Sequence, residues 1–249
     1  MIRLFIIFIL IISPPCLADA TTRPPEQTHW SFATPLGTFD RSAMQRGFQV
    51  YKEVCSACHE LSHIRFRELS ALGFNDKEIK AIAADYSIKD GPNDEGEMFD
   101  RPALPGDSFP NPFPNEQAAR ASNGGAFPVD LSLIIKGRED GANYVHSLLT
   151  GYGSAPTDIT LFEGKSYNPY FEGGQISMPP PLVDGQVTYV DGTPATVDQM
   201  SKDVVTFLSW ASAPELEARR QMGLKVILYL IVFSMLMYFV YRSVWRNVK

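Results

Sequence analysis

The five residues Cys55-Ser56-Ala57-Cys58-His59 constrain this chain more than any other stretch of it. Two thiols separated by two residues, with a histidine directly after the second, form the pattern by which a polypeptide takes up a c-type haem. Each thiol can add across one vinyl group of the porphyrin to give a thioether, and the adjacent imidazole is then held beneath the iron as its proximal ligand. Upstream, Asp40-Arg41-Ser42 can cap a helix that runs to about Val54, with Met44, Phe48 and Tyr51 recurring at helical spacing. The motif therefore falls at a helix end.

Three other chemistries use paired cysteines, and each fits less well. A thioredoxin-type dithiol needs a strand leading into a helix, whereas here a helix leads into the motif, and His59 would have no role. A structural zinc site would want a second cysteine pair or two well-spaced histidines. His63 is the only near candidate, and His29, His63 and His146 read better as surface or hydrogen-bonded side chains. A disulfide between Cys55 and Cys58 would close a strained and very short loop that stabilises little.

The two ends of the chain say where such a centre would sit. Ile2 to Ile12 is almost wholly apolar after Arg3 and leads into prolines and small residues, the shape of an export signal over residues 1–20. Cleavage fits after Ala18 or after Ala20. A lipoprotein reading through Cys16 is weaker, because Pro14 and Pro15 stand where small, flexible residues are expected. Near the other end, Gly223 to Tyr241 carries a single formal charge, Lys225, and reaches roughly 28 Å as a helix, enough for a bilayer core of about 30 Å. Arg242, Arg246 and Lys249 follow it without an acid among them, while Glu215 and Glu217 mix with Arg219 and Arg220 before it. The positive-inside rule then leaves the C-terminus in the cytoplasm. Residues 21–215 are expected to form one exported domain, and residues 216–249 an anchor with a short cytoplasmic tail. The formal net charge of −6 disfavours nucleic acid and suits a basic soluble partner, although solubility alone explains most acidic proteins.

Inside the body, helices are expected at Asp76 to Tyr86 (Asn75 as N-cap, Glu78 completing a capping box), around Asn115 to Ser122, at Asp130 to Ile135, at Ala142 to Leu149 and at Val197 to Ala211. Thr21 to Pro35 reads as an extended lead. Gly91 to Pro128 and Gly151 to Leu182 read as long loops, and Val187 to Val190 followed by Asp191-Gly192 suggests a small hairpin. Loops of this length are unusual in a compact domain. A haem resolves the difficulty, because its flat apolar face gives irregular segments something to pack on. The fold class expected is mainly α, a class I cytochrome c-like haem domain with long loops and a C-terminal transmembrane helix.

The sixth iron ligand decides the chemistry: an open position invites reaction with oxygen or peroxide, whereas a methionine closes it and raises the potential for electron transfer. Met1 falls in the signal, Met222, Met235 and Met237 belong to the membrane end, and Met44 lies on the motif helix about eleven residues before Cys55, directed away along the same rod. Met200 opens an amphipathic helix, where core packing is the usual role. Met98 lies among Asp94, Glu95, Glu97 and Asp100, a poor entrance to an apolar face. Met178, in Ile176-Ser177-Met178-Pro179-Pro180-Pro181, sits where prolines restrict the backbone. Spacing favours Met178 and leaves Met98 open.

Several further segments carry a resemblance. They are Asp90 to Phe99, Ala118-Ala119-Arg120 with Asn123 to Ala126, Tyr144 to Tyr152, Tyr167 to Phe171, Met178-Pro179, Asp191 to Thr196 and Met222 to Lys225, in one order with the haem motif. Together they resemble the cytochrome c1 family, in its bacterial form, over nearly the whole exported body and the anchor. The resemblance implies one covalent haem c on Cys55 and Cys58, iron ligation by His59 and Met178, and Arg120 near a haem propionate, where a guanidinium would form a charge-assisted pair. It implies a redox subunit with no catalytic activity of its own, working in a quinol-cytochrome c oxidoreductase (bc1) complex beside cytochrome b and the Rieske iron-sulfur protein, and passing one electron to a c-type cytochrome. The place implied is the bacterial inner membrane, haem domain on the periplasmic side. Gly153 departs from relatives that carry a cysteine there, and the body has no spare cysteine pair, so loop rigidity must come from packing. The acids from Asp90 to Asp100 fit either steering of a basic cytochrome or a solvated loop. A free-standing membrane-tethered shuttle and a monohaem peroxidase-like or oxidase-associated subunit are the other functions compatible with the motif.

Overall fold

A computed structural model describes residues 22–157 and 159–247; the expected export signal at 1–20 lies outside them. The molecule is mainly helical. Helix α1 (Arg41–Glu53) starts where the Asp40 carboxylate accepts the N–H groups of Ser42 and Ala43, and buries Met44, Gly47, Phe48, Val50 and Tyr51 along one face. That face lies on α5 (Val197–Ser212), which Thr196 caps through the N–H of Gln199. The two helices approach closely at Gly47, where a Cβ would stand 2.0 Å from the carbonyl oxygen of Asp203. Arg46, one residue before, turns its guanidinium onto the Asp203 carboxylate at 2.9 Å and reaches Asp191 at 2.8 Å. Asp203 is 1% exposed, so this ion pair locks the helix crossing from inside.

Around the crossing, Phe48, Tyr51, Phe66, Tyr86, Phe109 and Phe207 form a continuous set of ring contacts. Helix α2 (Asp76–Ala84) carries the capping box of Asn75 and Glu78 and contributes Ile79 and Ala83 to the core. Helix α3 (Glu116–Ser122) is capped by Asn115. Helix α4 (Gly141–Thr150) packs on α5, and His146 on its buried side sets Nδ1 2.9 Å from the Ser201 hydroxyl. The lead from residue 23 to Trp30 straps across α4. Buried Asn143 is its hub, accepting from the Thr28 N–H and the Trp30 indole N–H and donating to Gln27 and Asp140.

Three features depart from the expectations. The loop-rich stretch after α2 contains an antiparallel pair, β1 (Ser87–Asp90) with β2 (Phe99–Pro102), and Arg101 ties Asp90 and Asp107 together across it. A second short pair joins β3 (Ser166–Tyr167) to β4 (Gln175–Ile176). Conversely, the hairpin expected at Val187–Asp191 does not form. Its alternation does set side-chain direction, with Val187 and Tyr189 buried and Val190 fully exposed. The return segment, however, contains Pro194, which has no N–H to offer a ladder. The backbone is held instead by single bonds, the Gly185 N–H to the Ala195 carbonyl and the Gln49 amide to the Thr188 carbonyl.

Helix α6 (Leu216–Trp245) is a single 30-residue rod, about 45 Å long at 1.5 Å per residue. Among the described residues it is the one helix long and apolar enough to cross a membrane. Its first turns are fastened to the domain. Glu217 accepts from the Phe39 N–H at 2.7 Å and from Arg41 at 2.6 Å, while Arg220 donates to the carbonyls of Phe32 and Gly37 at 2.9 and 2.8 Å.

Candidate functional site

The motif occupies a short 3-10 turn, Cys55–Ala57, immediately after α1. The Cys55 carbonyl accepts the N–H groups of both Cys58, at 3.1 Å, and His59, at 2.9 Å. One carbonyl thus folds the pentapeptide so that both thiols and the imidazole leave the same turn. Cys55 and Cys58 form no disulfide with each other. Burial, with Cys58 adding to it, pushes the Cys55 thiol up to about 12, so it stays protonated at neutral pH.

His59 is oriented by a group the sequence did not reveal. Its Nδ1 lies 2.7 Å from the carbonyl oxygen of Val129. A carbonyl only accepts, so Nδ1 carries the proton, and in the neutral ring the lone pair is on Nε2. Burial holds the imidazole below its ordinary pKa, against a smaller opposing effect of the Val129 bond, which keeps it in the neutral form a metal requires.

Val129 is itself fixed by a zip between residues 60–63 and 130–132. The Leu131 N–H donates to the Glu60 carbonyl at 2.9 Å, and the His63 N–H donates to the Ser132 hydroxyl at 3.1 Å. The Asp130 carboxylate receives the Ser62 hydroxyl and, at 2.7 Å, the Ser132 N–H. Burial alone would raise the Asp130 carboxyl, but these donors outweigh it and hold it below the usual carboxylate value. The sequence signal for this clamp was a helix expected at Asp130 to Ile135, which the structure shortens to a 3-10 turn, Leu131–Leu133, capped by Asp130; that the partner of Asp130 would be Ser62 was not legible.

The same segment leaves apolar side chains uncovered: Phe127 is 42%, Val129 41% and Leu133 46% exposed. Three such residues in seven, beside two thiols and a preset imidazole, suit a flat apolar group linked through sulfur. The donor set and its surroundings therefore fit a haem.

Of the other candidates, Met44 and Met200 are completely buried in the helical core, and Met98 is 60% exposed near the tip of the β1–β2 hairpin. Met178 is half-buried, with its carbonyl accepting the Tyr152 hydroxyl at 3.1 Å. Among the described residues no hydrogen bond joins the Met178 segment to the motif. Arg120 lies exposed on α3, paired with Glu116 at 2.7 Å, donating to the Gly125 carbonyl at 3.0 Å and placed over the Phe127 ring. It adjoins the uncovered apolar segment without touching the motif. His63 is exposed, and no cluster of three metal-ligating His, Cys, Asp or Glu side chains occurs among the described residues.

A mainly helical domain with a thioether-forming motif, set on one long apolar helix, defines a membrane-anchored c-type cytochrome. The chain belongs to the Cytochrome C1 family, whose sequence profile matches residues 30–248. It is 51% identical over 251 residues to the cytochrome b/c1 of Bradyrhizobium diazoefficiens, covering 92% of this chain but 36% of that longer protein. It is 47% identical over 236 residues to the cytochrome c1 of Rhodospirillum rubrum, covering 88% of this chain and 87% of the relative. A potato relative described as cytochrome c1-2, heme protein, mitochondrial, is 49% identical over 221 residues, covering 88% and 85%. Homologues in this family carry covalently attached haem c.

Proposed function

We propose that this chain is the haem-bearing electron-transfer subunit of a bacterial bc1 complex, taking one electron from the Rieske iron-sulfur protein and passing it to a c-type cytochrome. The observation that carries this reading is the preset His59, neutral by burial, with Nδ1–H on Val129 and Nε2 free, one residue from a thiol pair in the same turn. Haem, when bound, supplies a single iron that alternates between ferrous and ferric states. Cys55 and Cys58 would hold it covalently, each S–H adding across a vinyl C=C with the proton going to the vinyl carbon. His59 would be the proximal ligand and Met178 the distal one. Burial supports Met178 over Met98 in this reading: Met178 is half-buried, whereas Met98 is 60% exposed beside the β1–β2 hairpin. Arg120, beside the uncovered apolar segment, would face a propionate as a charge-assisted donor.

The chain's remaining work is placement. The zip at residues 60–63 and 130–132 holds the imidazole against rotation, and Glu217 and Arg220 fasten the domain to α6. We assign residues 1–20 to an export signal, 21–215 to the periplasmic haem domain and 216–249 to the anchor, with the C-terminus cytoplasmic by its Arg and Lys excess. Cytochrome b would be the membrane neighbour of α6. Isolation in mild detergent tests the reading. Co-purification with a cytochrome b and a Rieske protein is expected, along with a ferric red-region charge-transfer band that is lost in Met178→Leu and kept in Met98→Leu. Isolation of the chain alone would sink the assignment to the complex.

A further inference from the structure

The loop that carries Met178 is gripped by the end of α4. Asn168, completely buried, donates its side-chain amide to the Leu148 carbonyl at 2.7 Å and accepts the Tyr170 N–H at 3.1 Å. The Tyr170 ring lies so close to Gly151 that a Cβ there would stand 2.4 Å from a ring carbon. Tyr152, the next residue, donates its hydroxyl to the carbonyl of Met178 itself at 3.1 Å. From the opposite side the N-terminal strap holds the same loop, through the Arg23 N–H to the Pro169 carbonyl at 2.8 Å and the Tyr170 hydroxyl to Glu26 at 2.7 Å.

This grip matters because of the residues on either side of Met178. Pro179, Pro180 and Pro181 have no N–H, so the chain there can form no ladder that would fix it. β4 ends at Ile176, two residues earlier. Of Met178's own main-chain groups, the carbonyl is the one that finds a partner among the described residues, and that partner is Tyr152.

We propose that Tyr152 is a positioning residue for the distal ligand: its hydroxyl, braced by the Gly151–Tyr170 contact, fixes the Met178 main chain and so governs how firmly the thioether closes the far side of the iron. The inference rests on the assignment of Met178 as that ligand. A sixth position that opens more often takes up an external ligand in proportion to its open fraction.

The test uses the full ferric holoprotein in detergent, with cyanide as the probe. Loss of one neutral hydrogen bond corresponds to about a fivefold larger open fraction. Tyr152→Phe should therefore bind cyanide about fivefold more tightly, and its reduction potential should fall, while the unfolding midpoint of the helical signal stays near that of the parent. Gly151→Ala, which pushes on the Tyr170 ring, should exceed it. Parental cyanide affinity and potential in Tyr152→Phe overturn the proposal, whether or not Gly151→Ala folds. Met178→Leu separates the two layers. If it matches the parent in cyanide affinity and spectrum, the ligand assignment itself fails. If it is wide open while Tyr152→Phe is parental, only the role of Tyr152 fails.

Discussion

The two sides of the candidate haem site are built differently. On the side of His59, the proposed proximal ligand comes one turn after a helix, and a zip of backbone and side-chain bonds joins residues 60–63 to residues 130–132. On the side of Met178, the proposed distal ligand, a proline-rich loop is held by Tyr152 at the Met178 carbonyl, by Asn168 ten residues earlier and by the N-terminal strap at Pro169 and Tyr170. The first arrangement is continuous with the helical core, so His59 moves only if the core moves. The second can open locally while the core stays folded. In the proposed haem site the firmer attachment would lie on the side of the thiol pair, and the adjustable one opposite.

The contrast should show most strongly at the helix crossing beneath the proximal side. Arg46→Leu leaves the buried Asp203 carboxylate without its partner and should cost about 3–5 kcal/mol in denaturant unfolding. A cost under a third of that would mean the α1–α5 crossing does not depend on the pair. Next in size is the clamp itself. Asp130→Ala removes the acceptor of Ser62 and Ser132 and should cost about 2 kcal/mol of global stability, because the zip belongs to the cooperative core. The counterpart in the distal loop is smaller and of a different kind. Tyr152→Phe should lower global stability by less than about 1 kcal/mol, yet speed hydrogen exchange of the amides from Asn168 to Gly174. Equal acceleration across α1 would erase the distinction between the two sides.

The smallest expected effect is one of pH. His146, buried between α4, α5 and Trp30, has a pKa below its ordinary value, chiefly through burial and against the attraction of Asp198. On unfolding the ring regains a pKa of about 6.5, so the unfolded chain takes up the proton first as pH falls. The corresponding stability is intact above that value and declines as the pH drops from it towards the depressed folded value. His146→Gln should flatten the stability profile below about pH 6.5. An unchanged slope would assign the acid sensitivity elsewhere.

Much of the scaffold was legible in the sequence because its signals are local. Asp40, Asn75, Asn115 and Thr196 are caps whose acceptors lie within three residues of their donors, and each helix begins where its cap stands. The β1–β2 pair was missed because Pro92, Gly91 and Gly96 read as loop, while the strands they join are four residues each and half exposed. The hairpin expected at Val187 failed for the complementary reason: alternation reports which side chains face the core, and says nothing about whether a partner with free N–H groups lies alongside.

By itself the sequence placed two thiols and an imidazole within five residues at Cys55 to His59 and an apolar run long enough to span a membrane near the C-terminus, since a pentapeptide turn and a hydrophobic run need no information from distant residues. It also narrowed the far-side ligand to two methionines. Only the tertiary structure decided how the imidazole is turned, because Val129 lies seventy residues from His59, and how far each methionine is withdrawn from water, because burial is a property of the packed chain. The same holds for the grip of Tyr152 on Met178 across twenty-six residues. Contacts of that separation are selected by the whole fold, whose loops close only when the core beneath them has formed.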